Sequence, residues 1–114
     1  MKPHQLVGFA ACSAAIAIVA GAFGAHNAHG PSVEWLKTGG SYQLIHAVAV
    51  IGLADRWQKA AVVILIGSLI FAFSLYAMAL GAPRWFGAIT PIGGALMISG
   101  WVMIAYHMLR RQES

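Results

Sequence analysis

Four long apolar runs, separated by short polar stretches, set the pattern of the chain. The first extends from Gln5 to Ala25 and gives way to "HNAHG". The second, Thr38 to Ala54, ends at "DRWQK"; the third, Ala60 to Leu80, ends at "GAPR"; the fourth, Pro91 to Leu109, ends at "RRQES". Each approaches the ~20 residues that a helix needs to cross ~30 Å of hydrocarbon. Lipid offers no partner to a free backbone N–H or C=O, so helices are expected rather than strands. The second run is short, and "SVEWLK" before it reads as an interfacial lead-in with Ser32 as a candidate cap. Thr90-Pro91 reads as a helix start: threonine caps, and proline suits the first helical position, where its missing N–H costs nothing. The expected fold is an all-α membrane protein, one domain over residues 1–114. Its four transmembrane helices (about 5–25, 38–54, 60–80 and 91–109) form an antiparallel up-down-up-down bundle, because short connections favour antiparallel neighbours.

Composition strengthens this picture. Hydrophobic residues make up 60% of the chain and charged residues 9%, where a soluble domain carries about a quarter of its residues as charges. The lipid bilayer is therefore the expected solvent for most of the surface. The net charge of +4 would suggest nucleic acid in a soluble protein. Here the basic residues lie at the ends of apolar runs and read as orientation signals, so no nucleic-acid partner is expected. Lys2, Arg56, Lys59, Arg110 and Arg111 fall on one side of a four-span plan, and Lys37 and Arg84 on the other, which accounts for all 7. The richer side is the cytoplasmic one. Both termini are expected there, in a multi-pass protein of the inner (cytoplasmic) membrane. "MKPH" and the small residues Ala22 and Gly24 imitate a signal peptide, but the apolar core exceeds the roughly 7–15 residues of such segments. It reads as a retained span.

Small residues recur at helical spacing: Ser13, Ala17, Gly21 and Ala25 in the first run, Gly67, Ser74 and Gly81 in the third, Gly93 and Gly100 in the fourth. Lipid gives helices no hydrophobic reason to associate, so close approach through small residues is what packs them. These stripes are expected to pack the helices against one another, with dimerisation as the less favoured use.

The polar residues inside the runs are few. His26 and His29 have the i, i+3 spacing that can bring two imidazoles to one metal, but a zinc site needs three or four ligands and no third is evident. No metal or cofactor is expected. His26 is read as bonding free carbonyls at the end of the first helix. Tyr42, Gln43 and His46 form a polar trio that should face the bundle interior. His46 would lie ~12 Å below the outer end of its span if the span starts near Thr38, or ~6 Å if Tyr42 marks the interface. There it could meet His26, Ser74 or Tyr76. Structural hydrogen bonding is the favoured use; contact with a quinone, lipid or metal is the alternative. A haem between His46 and His107 would face a depth mismatch of ~9 Å. The acids Glu34, Asp55 and Glu113 all lie outside the runs, which argues against proton-coupled transport, since that chemistry places a carboxylate in the membrane. There is no nucleophile–base pair, phosphate loop or H-E-x-x-H motif, so an enzyme is not expected.

"GAFGAH" closing the first run, "YQLIHA" opening the second, "FSLY" in the third and "ITPIGG" opening the fourth occur in order over nearly the whole chain. In this ordered set the sequence resembles the domain of unknown function 423 family, which includes the transmembrane protein 256-like proteins. The resemblance implies four helices in a cytoplasmic or inner membrane. It also implies that His26, Tyr42, Gln43, His46, Ser74, Tyr76, Thr90, Pro91, Gly93 and Gly94 are signature positions. "FAFSLY" has Ala72 and Phe73 where the family pattern suggests "FSGSLY", which removes a small polar position. No biochemical activity comes with the resemblance. The expected function is that of a non-enzymatic membrane protein, an accessory subunit of a larger assembly such as a respiratory complex, with other membrane subunits as partners. The alternative is a small-ligand binding or transport module built on the outer-face His/Tyr cluster.

Overall fold

The computed structural model describes residues 1–111, so Glu113 lies outside the described residues. It contains four long helices: α1 (Pro3–His26), α2 (Pro31–Leu53), α3 (Gln58–Ala79) and α4 (Thr90–Arg110). A 3₁₀ segment, Arg84–Ala88, joins α3 to α4, and no β-strand occurs among the described residues. Prolines open three of the helices, at Pro3, Pro31 and Pro91, where a preset φ favours the first turn. Pro31 moves the start of α2 seven residues upstream of the expected Thr38. "SVEWLK" is thus helix rather than lead-in, and Gly30 takes the cap position expected for Ser32. The Ser32 hydroxyl instead donates to the Ala79 carbonyl at the end of α3, at 3.3 Å. Thr90 is likewise already helical, with Ile89 at the cap and no side-chain capping bond.

Three segments, Pro3–His26, Gln58–Ala79 and Arg84–Arg110, are long and apolar enough to cross a membrane. At 23 residues α2 is long enough too. Its first half, with Glu34, Lys37, Thr38, Ser41, Tyr42, Gln43 and His46, is what makes it less apolar. Its position answers that cost, for α2 lies between α1 and α3, and Gln43 and His46 are buried.

Each helix runs antiparallel to the next, and they pack in chain order: α1 on α2, α2 on α3, α3 on α4. Among the described residues α1 makes no backbone-scale contact with α4. The result is an open, curved layer in the expected up-down-up-down order, with α1 and α4 at its edges. A closed bundle needs α4 to return to α1, but the glycines of α4 all face α3.

The seams follow a period of 3.5. Leu6, Ala10, Ser13, Ala17, Ala20 and Gly24 are the buried residues of α1, and Leu36, Gly40, Gln43, Ala47 and Val50 continue the same 4–3 alternation on α2. That alternation keeps a stripe facing its partner along the helix. The every-four row of the sequence reading does not, because each step of four residues drifts by about 40° around the axis. Gly21 and Ala25 have accordingly rotated out of the seam and are exposed, although the Gly21 backbone still backs Gly40. Gly81 also leaves the packing set. Beyond the end of α3 it takes φ +110° in the turn, with nothing near it.

Gly67, Gly93 and Gly100 do pack. Gly67 and Gly93 lie face to face across α3 and α4: a Cβ on Gly67 would come within 2.8 Å of the Gly93 carbonyl oxygen and the Met97 nitrogen. A Cβ on Gly93 would overlap the Phe71 nitrogen and the Gly67 carbonyl, and one on Gly100 would overlap Ile64. At the end carrying the termini, Leu6, Ala10, Val50, Ala54, Ala61, Ile64 and Leu65 form an apolar core across α1, α2 and α3. Gly93→Ala should lower stability by about 2 kcal/mol, the range of overpacking against atoms that cannot yield. Gly8→Ala, with nothing within 4 Å of the new methyl, should cost nothing. Denaturant titration in mixed micelles, read by helix content, checks this; equal behaviour of the two variants would count against the Gly67–Gly93 seam.

Candidate functional site

Among the described residues Gln43 is the one fully buried side-chain amide. It lies near the middle of α2, ~18 Å along the helix from Pro31. Its Nε2 donates to Ser13 Oγ on α1 at 3.0 Å, and its Oε1 accepts from the Tyr76 hydroxyl on α3 at 2.6 Å. One carboxamide therefore ties three helices together. Both ends of the amide dipole are matched, a donor on one side and an acceptor on the other, so the side chain can flip only by breaking both bonds.

Local structure sets up this geometry. Tyr76 is close to the end of α3, but helical side chains lean toward the N-terminus of their own helix, which carries its hydroxyl back toward the middle of the layer. Its ring lies against Gly39, where a Cβ would come within 2.7 Å of Cε1. Gly40, on the other side of α2, lets the Ala17 carbonyl approach, at 3.2 Å from the position a Cβ would take. The Gly39-Gly40 pair thus thins α2 on both sides just before Gln43, so that one short side chain can reach both neighbours.

A second link joins α3 to α4. Ser74 Oγ donates to the Phe71 carbonyl at 2.8 Å, which leaves Thr90 Oγ1 as the donor in its contact with Ser74 Oγ. Thr90 is therefore an interhelix tie, where the sequence reading made it a cap. Among the described residues no buried side-chain nitrogen or oxygen lacks a hydrogen-bond partner.

The histidines stand apart from this chain. His46 bonds through Nδ1 to the Tyr42 carbonyl of its own helix at 2.7 Å. That nitrogen must carry the proton to bond a carbonyl. The ring stacks on Tyr42 at 6.1 Å and meets the edge of Trp101 on α4 at 6.0 Å. Tyr42, 47% exposed, leans on Phe71 at 4.9 Å. His26 is exposed at the end of α1, and the expected meeting of His26 with His46 does not occur. Nor does His26 supply the terminal capping bond; the Asn27 N–H closes α1 on the Phe23 carbonyl at 2.8 Å. Among the described residues no three of His, Cys, Asp or Glu converge as metal ligands. Four participants were hidden in the sequence. Ser13 looked like one more small packing residue, Gly39 and Gly40 carried no polar signal, and Trp101 became relevant only through the bend of the layer.

The family model for a protein of unknown function, DUF423, matches residues 20–94. The chain belongs to the DUF423 family. The matched stretch includes Gln43, His46, Ser74, Tyr76, Thr90 and Gly93; Ser13 lies before it. The UPF0382 inner membrane protein YgdD of Escherichia coli K12 is 33% identical, over 96% of this chain and 93% of its own. A UPF0382 membrane protein of Haemophilus influenzae is 36% identical, over 90% and 92%. One of Staphylococcus epidermidis is 36% identical, over 96% and 98%. With three helices able to span, this DUF423 member is an inner (cytoplasmic) membrane protein. No solved structure matches the chain.

Chemically, Ser13–Gln43–Tyr76 is a clamp. A carboxamide neither takes nor releases a proton near neutral pH, so the chain of bonds fixes positions without offering an acid or base. Gln43→Leu should destabilise by roughly 1–2 kcal/mol, two interhelix bonds at the ~0.6 kcal/mol average and up to ~1.7 kcal/mol each seen in membrane proteins. His46→Leu, whose bond closes within α2, should cost less. A double-mutant cycle of Gln43→Leu with Tyr76→Phe should give a coupling of about 0.6 kcal/mol. Strict additivity would show that the 2.6 Å contact contributes nothing.

Proposed function

We propose that this DUF423 member is a non-enzymatic accessory subunit, bound through the open edges of its helix layer to a larger inner-membrane assembly. The observation that carries this reading is the contrast between interior and edges. Inside, no buried side-chain nitrogen or oxygen among the described residues lacks a hydrogen-bond partner within the chain. At the edges, α1 and α4 each pack mainly on one neighbour. They present Phe9, Ile16, Ile18, Val19, Ile98 and Val102 outward. The alternative, a small-ligand pocket lined by His26, Tyr42, His46 and Tyr76, is less favoured because the Tyr76 hydroxyl is taken by Gln43, His46 keeps to Tyr42 of its own helix and His26 is exposed at the end of α1. We also assign a four-span topology with both termini in the cytoplasm, on the excess of cations at the end of the layer carrying the termini. The shielding of α2 between α1 and α3 supports its crossing despite its polar half.

Native mass spectrometry of the tagged protein, extracted from its own membranes in mild detergents, should give a defined mass above 12.0 kDa containing a second polypeptide in fixed ratio. The chain alone, or only copies of itself, in several detergents and in native lipid discs would overturn the subunit reading. For the topology, Cys12 is replaced by Ala and single cysteines are placed at Asn27 or Asp55. A membrane-impermeant maleimide should label the Asn27→Cys variant on intact spheroplasts and the Asp55→Cys variant only after lysis. The reverse pattern would invert the assignment.

A further inference from the structure

At the end carrying the termini, the α2–α3 turn and the last turns of α4 border two adjoining, open surface clefts of about 470 and 560 Å³. Arg56, Trp57 and His107 border both. Arg110 and Arg111 line the first and Lys59 the second, so four cations surround one Trp57–His107 wall, whose rings lie 6.4 Å apart. The Arg110 guanidinium is held in place: Nη1 donates to the Tyr106 hydroxyl at 2.7 Å, and the group lies 5.2 Å over the Tyr106 ring. Among the described residues none of these cations has a carboxylate within ion-pair distance, although Asp55 lies on the rim of the second cleft. An orientation signal needs positive charge near span ends and nothing more. It does not need a cleft, a docked guanidinium or an indole in the wall.

We propose that this cleft binds the phosphate head of an anionic phospholipid from the leaflet on the side of the chain termini. Guanidinium groups suit the task because their planar fork meets two phosphate oxygens at once. Basic pockets between membrane helices are where such heads are held, and the amphipathic indole of Trp57 fits the headgroup level. Ala60 and Met103, in the second cleft, lead down to the apolar helix faces along which the acyl chains run. Two adjoining open clefts that share Arg56 fit a lipid with two phosphates, a diphosphatidylglycerol, better than one with a single phosphate. This site does not depend on the subunit reading, since it asks only for lipid.

The test is lipid retention. The full chain is reconstituted with phosphatidylcholine plus either phosphatidylglycerol or diphosphatidylglycerol, and released for native mass spectrometry. Anionic adducts should persist, diphosphatidylglycerol most. Arg56→Gln with Arg110→Gln should lower their retention about 30-fold, the effect of two basic residues near an anionic surface. Arg111→Gln alone, at the exposed residue after α4, should give a smaller loss, which keeps the result independent of how the double variant folds. Arg84→Gln is the control; its guanidinium stacks over Trp35 at 5.7 Å at the opposite end, and retention should not change. Equal retention of phosphatidylcholine, no loss in the double variant or an equal loss in Arg84→Gln would each overturn the proposal. Displacement of the adducts by inorganic pyrophosphate would also overturn it, marking a site for soluble phosphates.

Discussion

In lipid, an apolar side chain gains nothing by leaving its solvent, so the cohesion of the four helices must come from contact and hydrogen bonding. The meeting of Gly67 with Gly93 is the contact on which the α3–α4 half depends. With no side chain on either, the two backbones touch, and many weak dispersion contacts accumulate over a short length. Gly39 and Gly40 do the same for α2. Without them Tyr76 could not reach Gln43, and Ala17 could not approach closely enough to bring Ser13 within its reach. The glycines thus come first in the causal order, and the hydrogen bonds exploit the closeness they create.

The two halves of the layer use different means. Toward the termini, Leu6, Val50, Ile64 and Leu65 interlock by shape. Toward the other end the residues are smaller, and three helices are held by Gln43 at their centre. Shape alone tolerates sliding between antiparallel helices whose seams repeat every few residues. A single amide with one partner on each side does not, because a slip of one turn separates it from both Ser13 and Tyr76. Gln43 therefore sets the register that the repetitive 4–3 seams leave open.

Much of this was legible in the residues. The apolar runs marked the helices, since the hydrocarbon thickness leaves few other readings, and Gln43 and His46 announced a buried polar feature, whereas Tyr42, expected inside with them, is exposed. The partners were not legible. Which of several hydroxyls meets Gln43 depends on helix rotation, and a row spaced by four hides the drift that turns Gly21 outward. The sequence also drew the eye to the histidines, when the amide beside them makes the interhelix bonds. The up-down-up-down order was expected because short loops favour adjacent antiparallel helices. Such loops constrain neighbours only, and say nothing about whether the last helix returns to the first.

That open order bears on how the protein is made. Every substantial interface joins helices adjacent in the chain, so α1 and α2 can pair before α3 has been synthesised, and α3 before α4. No helix has to wait in the bilayer for a distant partner. The loops to be closed are short, which keeps the entropic barrier to each pairing low. Assembly can proceed as a row extended from its growing end, with the ribosome's own order of delivery as the order of packing.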